Sequence, residues 1–321
     1  MRHIVLLLGA VLASAGAASG IARADGLPVL GIDVVSEGVA VGPARYVTMP
    51  AGDRTLLARV ATRGGRVLAF RFLPGTFTIP AVAYDGSASG LSANGRRLVL
   101  IEPRAGFPRA RTTLAVVDTK RLRVERLVRL RGDFSFDAVS PDGRWAYLIN
   151  YTSPADPTRY DVRALNVVTG RLDPRLVVDP TESSEKMRGN PITRAASPDG
   201  RWAYTLYDGA GATPFVHALD TSRRTARCID LDLLTGRQDL WRMRLSLSAD
   251  GSTLAVGKAA AIDLASFRVV PPQAAEAART GDRTWPWALG LGLVTVVAAW
   301  LVARRRGGLR RTRLANAPRR I

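Results

Sequence analysis

Ser140-Pro141-Asp142-Gly143-Arg144-Trp145-Ala146-Tyr147 returns unchanged as Ser197-Pro198-Asp199-Gly200-Arg201-Trp202-Ala203-Tyr204, eight identical residues at an offset of 57. The chemistry of the unit is that of a turn feeding a strand. Ser suits the first position of a type I turn, Pro presets φ at the second, and Gly follows at the fourth. Beyond the turn, Trp145, Tyr147 and Ile149 alternate with Ala146 and Leu148. Both faces are apolar, the pattern of an inner strand covered on two sides.

Working outward, looser copies occur at Ser92-Ala93-Asn94-Gly95-Arg96-Arg97-Leu98-Val99 and Ser248-Ala249-Asp250-Gly251-Ser252-Thr253-Leu254-Ala255, and a worn one at Val41-Gly42-Pro43-Ala44-Arg45-Tyr46-Val47. The residues that follow the five turns (45, 96, 144, 201, 252) are spaced 51, 48, 57 and 51 apart. A second hairpin pattern follows each first one, at Leu56–Phe72, Thr113–Val128, Asp161–Val178, Phe215–Leu231 and Ala259–Val270. Two hairpins per period of about 50 residues make four strands, the content of one propeller blade. The reading is therefore all-β: a β-propeller of about five four-stranded blades over 25–270. The Ser-Pro-Asp-Gly turns and the second-hairpin turns are expected at one end of the blades. The loops joining hairpins and blades are expected at the other. The Ser-Pro-Asp-Gly-Arg-Trp-Ala-Tyr unit resembles the bacterial WD-like repeats of TolB-like and YVTN-type propellers across some 240 residues. That resemblance implies a fold and leaves the role open, because the scaffold hosts many functions.

The two ends carry a different message. Arg2 and His3 precede the apolar stretch Ile4–Ala18, and Ala22-Arg23-Ala24 offers a cleavage site before Asp25. This is a secretory signal pattern over 1–24, with an uncleaved anchor as the alternative. Trp285–Ala303 has no charge in 19 residues and is followed by Arg304-Arg305-Arg306. At about 1.5 Å per residue it suits one C-terminal transmembrane helix. Residues 304–321 hold eight arginines and no acid, so the positive-inside rule assigns this tail to the cytoplasm. The expected protein is single-pass in the cell membrane, with 25–270 extracytoplasmic, 271–284 a stalk, 285–303 the helix and 304–321 inside. A hydrophobic segment followed by arginines also suits a cell-wall sorting signal, but no Leu-Pro-x-Thr-Gly precedes it.

Composition narrows the chemistry. Lys+Arg is 46 against 27 Asp+Glu, a net charge of +19. One cysteine, Cys228, rules out an intramolecular disulfide and reads as a small buried hydrophobe. Of the two histidines, only His217 lies outside the signal region, which is too few for a histidine-rich metal site. No Gly-x-Ser-x-Gly elbow, phosphate-binding loop or dinucleotide fingerprint is present, so no catalytic residue, metal or cofactor is assigned. Arg121, Arg123, Arg126, Arg129 and Arg131 read as charges guarding an outer edge strand. Asn150-Tyr151-Thr152 is a formal glycosylation sequon.

The expected function is non-catalytic: a tethered recognition or scaffold module that binds a protein or an anionic cell-envelope component, not nucleic acid. The alternative is a cell-envelope enzyme using carboxylate and arginine groups on the loop face. The sequence leaves the oligomeric state open. Binding concentrates on loops held by a rigid scaffold, so the candidates are Arg104, Arg109 and Arg111, Asp156 and Arg159, Glu182 and Glu185, and Asp208.

Overall fold

The computed structural model describes residues 38–182 and 187–272. The signal segment, the stalk beyond 272, the expected transmembrane helix and the basic tail lie outside these residues. Among the described residues, no helix is long and apolar enough to cross a membrane.

Five antiparallel meander sheets follow one another along the chain. The first contains β1 (Val39–Val41), β2 (Ala44–Ala51), β3 (Arg54–Ala61) and β4 (Val67–Pro74). The second contains β5 (Arg97–Ile101), β6 (Arg111–Asp118) and β7 (Arg123–Arg131). The third contains β8 (Phe134–Val139), β9 (Trp145–Tyr151), β10 (Tyr160–Asn166) and β11 (Arg171–Leu176). The fourth contains β12 (Pro191–Ala196), β13 (Trp202–Tyr207), β14 (Phe215–Asp220) and β15 (Thr225–Asp230). The fifth contains β16 (Leu245–Leu247), β17 (Thr253–Val256), β18 (Ala260–Asp263) and β19 (Arg268–Val270). The described residues form an all-β, propeller-like domain, each sheet a blade packed on its neighbour. Successive blades share apolar layers: Leu57 and Leu98 between the first and second, Leu114 and Phe136 between the second and third. Tyr147 and Phe215 join the third and fourth, and Leu206 and Ile262 join the fourth and fifth. Among the described residues, no such layer joins the first and fifth blades.

The repeat earns its regularity from a side-chain lock. In each turn the Ser hydroxyl donates to the Asp or Asn carbonyl-type oxygen two residues on, at 2.8 Å in Ser92–Asn94 and 2.6 Å in both Ser140–Asp142 and Ser248–Asp250; Ser197–Asp199 has the same contact. The same Ser oxygen accepts from the amide five residues on, at Arg97, Trp145, Trp202 and Thr253. Gly95, Gly143, Gly200 and Gly251 all take φ between +66° and +73°, which glycine adopts without a Cβ penalty. The second-hairpin turn then docks on the first. Thr221 Oγ1 donates to the Gly200 carbonyl at 2.9 Å, and the Thr221 amide to that of Arg201 at 2.8 Å. Thr119 repeats this on Gly95, which explains the Asp-Thr pair at both second turns.

A second repeat was not visible as a motif. Phe77 N donates to Thr55 Oγ1, which donates to Gly75 O; Phe134 N, Thr112 Oγ1 and Gly132 O are arranged identically. Gly-x-Phe thus fastens the exit of one blade to the entry of the next.

The second blade departs from the expected four continuous strands. Its innermost position is filled by two pieces: Thr78 pairs with Ile101, and Leu91 with Leu98. Between them the chain leaves as a narrow hairpin bridged at Ala81–Ala88. Pro80 cannot donate to a ladder, and Gly90 at φ +108° bends the return. The hairpin tip reaches the innermost strand of the fourth blade, where the Tyr84 and Asp85 amides donate to Pro191 O and Ile192 O at 3.0 and 3.2 Å. Tyr84 Oη adds a 2.8 Å bond to Asn190 Oδ1. This strap ties the second blade to the fourth across the centre of the molecule.

Candidate functional site

The eight loop residues separate into distinct roles. Arg104 is buried and donates to Asp133 Oδ1 at 2.5 Å and Ser135 Oγ at 3.0 Å, with its guanidinium 5.4 Å from the Tyr151 ring centre. The Arg109 amide donates to Asp133 Oδ2 at 2.8 Å, and its guanidinium binds the carbonyls of Glu102 and Phe134. Both arginines therefore converge on one carboxylate at the entry of the third blade. Asp208 accepts from the Asn190 amide at 2.7 Å and its Nδ2 at 2.9 Å, shaping the entry of the fourth. Asp156 accepts from Thr158 and pairs with exposed Arg159 at 3.2 Å. The Thr158 bonds, then the Arg159 charge, hold the Asp156 carboxyl below its ordinary range. Arg111 is exposed at the start of β6, and Glu182 is exposed beyond β11. Glu185 lies outside the described residues. Loop position alone did not distinguish arginines that fold inward from those that face solvent.

Between the third and fourth blades lies a cavity of about 350 Å³. Its apolar wall includes Tyr160, Val162, Val177 and Phe215, and its polar groups include His217, Cys228 and Asp230. His217 on β14 and Cys228 on β15 are register partners, so their side chains share one face. The hairpin turn between the strands centres their numbers, and that arithmetic was available in the sequence once both strands were recognised. Cys228 is half-buried on the cavity lining, unlike the fully packed hydrophobe expected.

His217 is 1% exposed. Burial pushes its imidazole down to about 4, against the opposing pull of Asp137, so the ring is neutral near pH 7. Among the described residues its Nε2 has no hydrogen-bond partner. Asp179, beside it on the lining, is satisfied: it accepts from the Cys228 amide at 3.0 Å, from Thr181, and from Arg227 at 3.2 Å. Burial opposes ionisation of Asp179, but the Thr181 and Cys228 bonds prevail and hold its carboxyl low. Asp230 is pushed the other way, by desolvation and by the charges of Glu182 and Asp232. Arg194 and Asp137, whose charges reach His217, form a buried ion pair. Among the described residues, no group of three or more His, Cys, Asp or Glu side chains is disposed to hold a metal ion.

A third feature lies on the first blade. Val47, Met49, Phe70 and Phe72 share its outer face through the cross-strand register. Phe70 is 62% exposed, Met49 48% and Phe72 44%. Phe70 and Phe72 meet edge to face at 6.3 Å, and Arg54 lies 5.0 Å over the Phe72 ring.

No protein-family profile matches the chain, and no curated protein matches it. Solved structures similar in the course of their sheets include TolB from Acinetobacter baumannii, at 15% identity and a TM-score of 0.39, covering 70% of this chain and 51% of that one. A putative 6-phosphogluconolactonase from Bacteroides uniformis is similar at 13% identity and a TM-score of 0.42, covering 72% and 67%. Hydrazine synthase from Kuenenia stuttgartiensis is similar at 14% identity and a TM-score of 0.35, covering 73% and 80%. Likeness at this level concerns architecture alone; the propeller-like assignment rests on the five meander sheets of this chain.

Proposed function

We propose that the chain is a non-catalytic recognition module, tethered to a membrane by 285–303, whose propeller-like domain docks a protein partner outside the cytoplasm. The observation that carries this reading is the outer face of the first blade. An aromatic pair, a methionine and a stacked arginine stand in the open on a rigid sheet. Aromatic residues, Met and Arg are the side chains enriched where proteins bind proteins, and contiguous exposed apolar patches mark such surfaces. The arginine and the strong positive charge of the chain favour a partner with an acidic rim. The cytoplasmic position of the arginine-rich tail follows from the positive-inside rule.

The test is crosslinking of the full chain in its native membrane, followed by recovery from wild type and from the double variant Phe70→Ser, Phe72→Ser. Both residues are well exposed, so the variant should keep its stability within about 0.5 kcal/mol. A crosslinked protein recovered with wild type and lost with the folded variant is the expected result. Equal recovery from both would remove the first blade as the docking surface. A loss confined to self-crosslinks would instead identify the occupant as a second copy. In the same membranes a cysteine placed at Thr312 should react with an impermeant maleimide only after lysis, and labelling of intact cells would overturn the topology.

A further inference from the structure

The protein-docking reading leaves the cavity between the third and fourth blades unexplained. Buried polar groups are almost always hydrogen-bonded, and an exception calls for a cause. His217 Nε2 is such an exception, in a side chain 1% exposed that forms part of the cavity wall. Leaving that bond unmade is unfavourable, and a ligand atom at that point would complete it. The cavity is too small for a folded partner and falls in the range of small-molecule sites.

Charge decides what kind of molecule fits. The chain is strongly basic, yet this lining presents three carboxylates, Asp179, Glu182 and Asp230, and, among the described residues, one cation, Arg188. Arg188 is exposed and lies close enough to Asp156 to help lower that carboxyl. Asp179 is already held by Thr181, the Cys228 amide and Arg227. Asp230 is not so held. It has no salt bridge or side-chain hydrogen bond among the described residues, and it feels the like charges of Glu182 and Asp232. A cation there would relieve that repulsion. The rest of the wall is apolar and aromatic, with Val162, Val177 and Phe215 available to an apolar body.

We infer that this cavity binds a small amphipathic amine: an ammonium at Asp230, an apolar or aromatic body against the wall of Val162, Val177 and Phe215, and a hydroxyl at its far end on His217 Nε2. A hydroxyl suits either tautomer of the ring, because it both donates and accepts. The inference uses none of the first-blade residues, so it stands or falls apart from the docking reading.

The experiment is calorimetric titration of the full chain in detergent at pH 7.5 with tyramine, phenethylamine and 4-hydroxyphenylacetate. Tyramine should bind one to one. Phenethylamine lacks the hydroxyl and should bind about 5–10-fold more weakly, the worth of one hydrogen bond. The carboxylate analogue should not bind. Asp230→Asn, at an exposed strand end, should weaken both amines alike. His217→Leu should abolish the preference for tyramine while leaving phenethylamine unchanged. If His217→Leu does not fold, the Asp230→Asn comparison still decides the charge assignment. Absence of binding by either amine to folded wild type would overturn the inference. So would equal binding of the acid, or Asp230→Asn binding as tightly as wild type.

Discussion

The third and fourth blades contain the two perfect copies of the octapeptide, whereas the first contains the most worn one. In the third and fourth, the octapeptide turn is locked by Ser and Asp side chains, and both faces of the inner strands are buried, with Tyr147 and Leu148 fully covered. In the first, Gly42-Pro43 makes the turn with no such lock, and one face of the sheet is left with Phe70 and Phe72 in solvent. The fifth blade, which also shares no apolar layer with the first, keeps the Ser248–Asp250 lock, so an open side does not by itself remove it. The first blade is distinguished by having lost the lock and exposed an aromatic face together, and that face is available for another surface.

That contrast is most sharply tested where blades are clamped together. Asp133 holds Arg104 and Arg109 at the junction of the second and third blades, with Arg104 and Asp133 side chains 5% and 3% exposed. Asp133→Ala leaves Arg104 charged and buried, and should cost about 3–5 kcal/mol in urea unfolding. The double variant Asp133→Ala, Arg104→Leu should recover part of the loss. A cost under about 1 kcal/mol for Asp133→Ala would mean that the clamp contributes little to the covered blades.

A smaller effect follows from His217, which is buried neutral between these blades. Its folded-state pKa of about 4 lies below the ordinary imidazole value of 6.5. Between those values the unfolded chain binds the extra proton, so stability rises with pH across the window and is lost as pH falls from 6.5 toward 4. The swing attributable to this side chain is roughly 2–4 kcal/mol, shared with the neighbouring Asp137–Arg194 pair. His217→Gln should flatten the pH 4–6.5 limb of the stability curve. An unaltered limb would assign the acid sensitivity to other groups.

The smallest effect separates turn conformation from turn packing. Gly200 and Gly251 have nearly the same φ, +73° and +71°, in equivalent turns. A Cβ on Gly200 would stand 2.8 Å from Ala93 Cβ, whereas one on Gly251 would meet nothing within 4 Å. Gly251→Ala should therefore show only the left-handed backbone cost, about 1–2 kcal/mol. Gly200→Ala should add about 1 kcal/mol for overpacking against a neighbouring turn. Equal thermal shifts for the two variants would show that the interior turns are no more tightly held than those of the last blade.

The sequence alone determined the repeat, the second hairpin of each of the five blades and the end of the blades at which the turns gather. These are local consequences: a Ser-Pro-Asp-Gly turn and a strand of period two are specified within a few residues. It also carried the edge strand of the second blade, where alternating arginines on β7 mark the outermost position. Only the tertiary structure decided which loop arginines fold inward. Arg104 in the β5–β6 loop and Arg111 at the first position of β6 carry the same charge, and the difference is the carboxylate at 133, which β6–β7 pairing and the entry of β8 bring beside Arg104. The strap of residues 79–89 was equally hidden, because its partners at Pro191 and Ile192 are more than 100 residues away. The cavity needed both levels: hairpin register pairs His217 with Cys228, but only the packing of β14 and β15 against β10 and β11 encloses the space in front of them. Enclosure is a property of surfaces distant in sequence, and no local pattern of side chains encodes it.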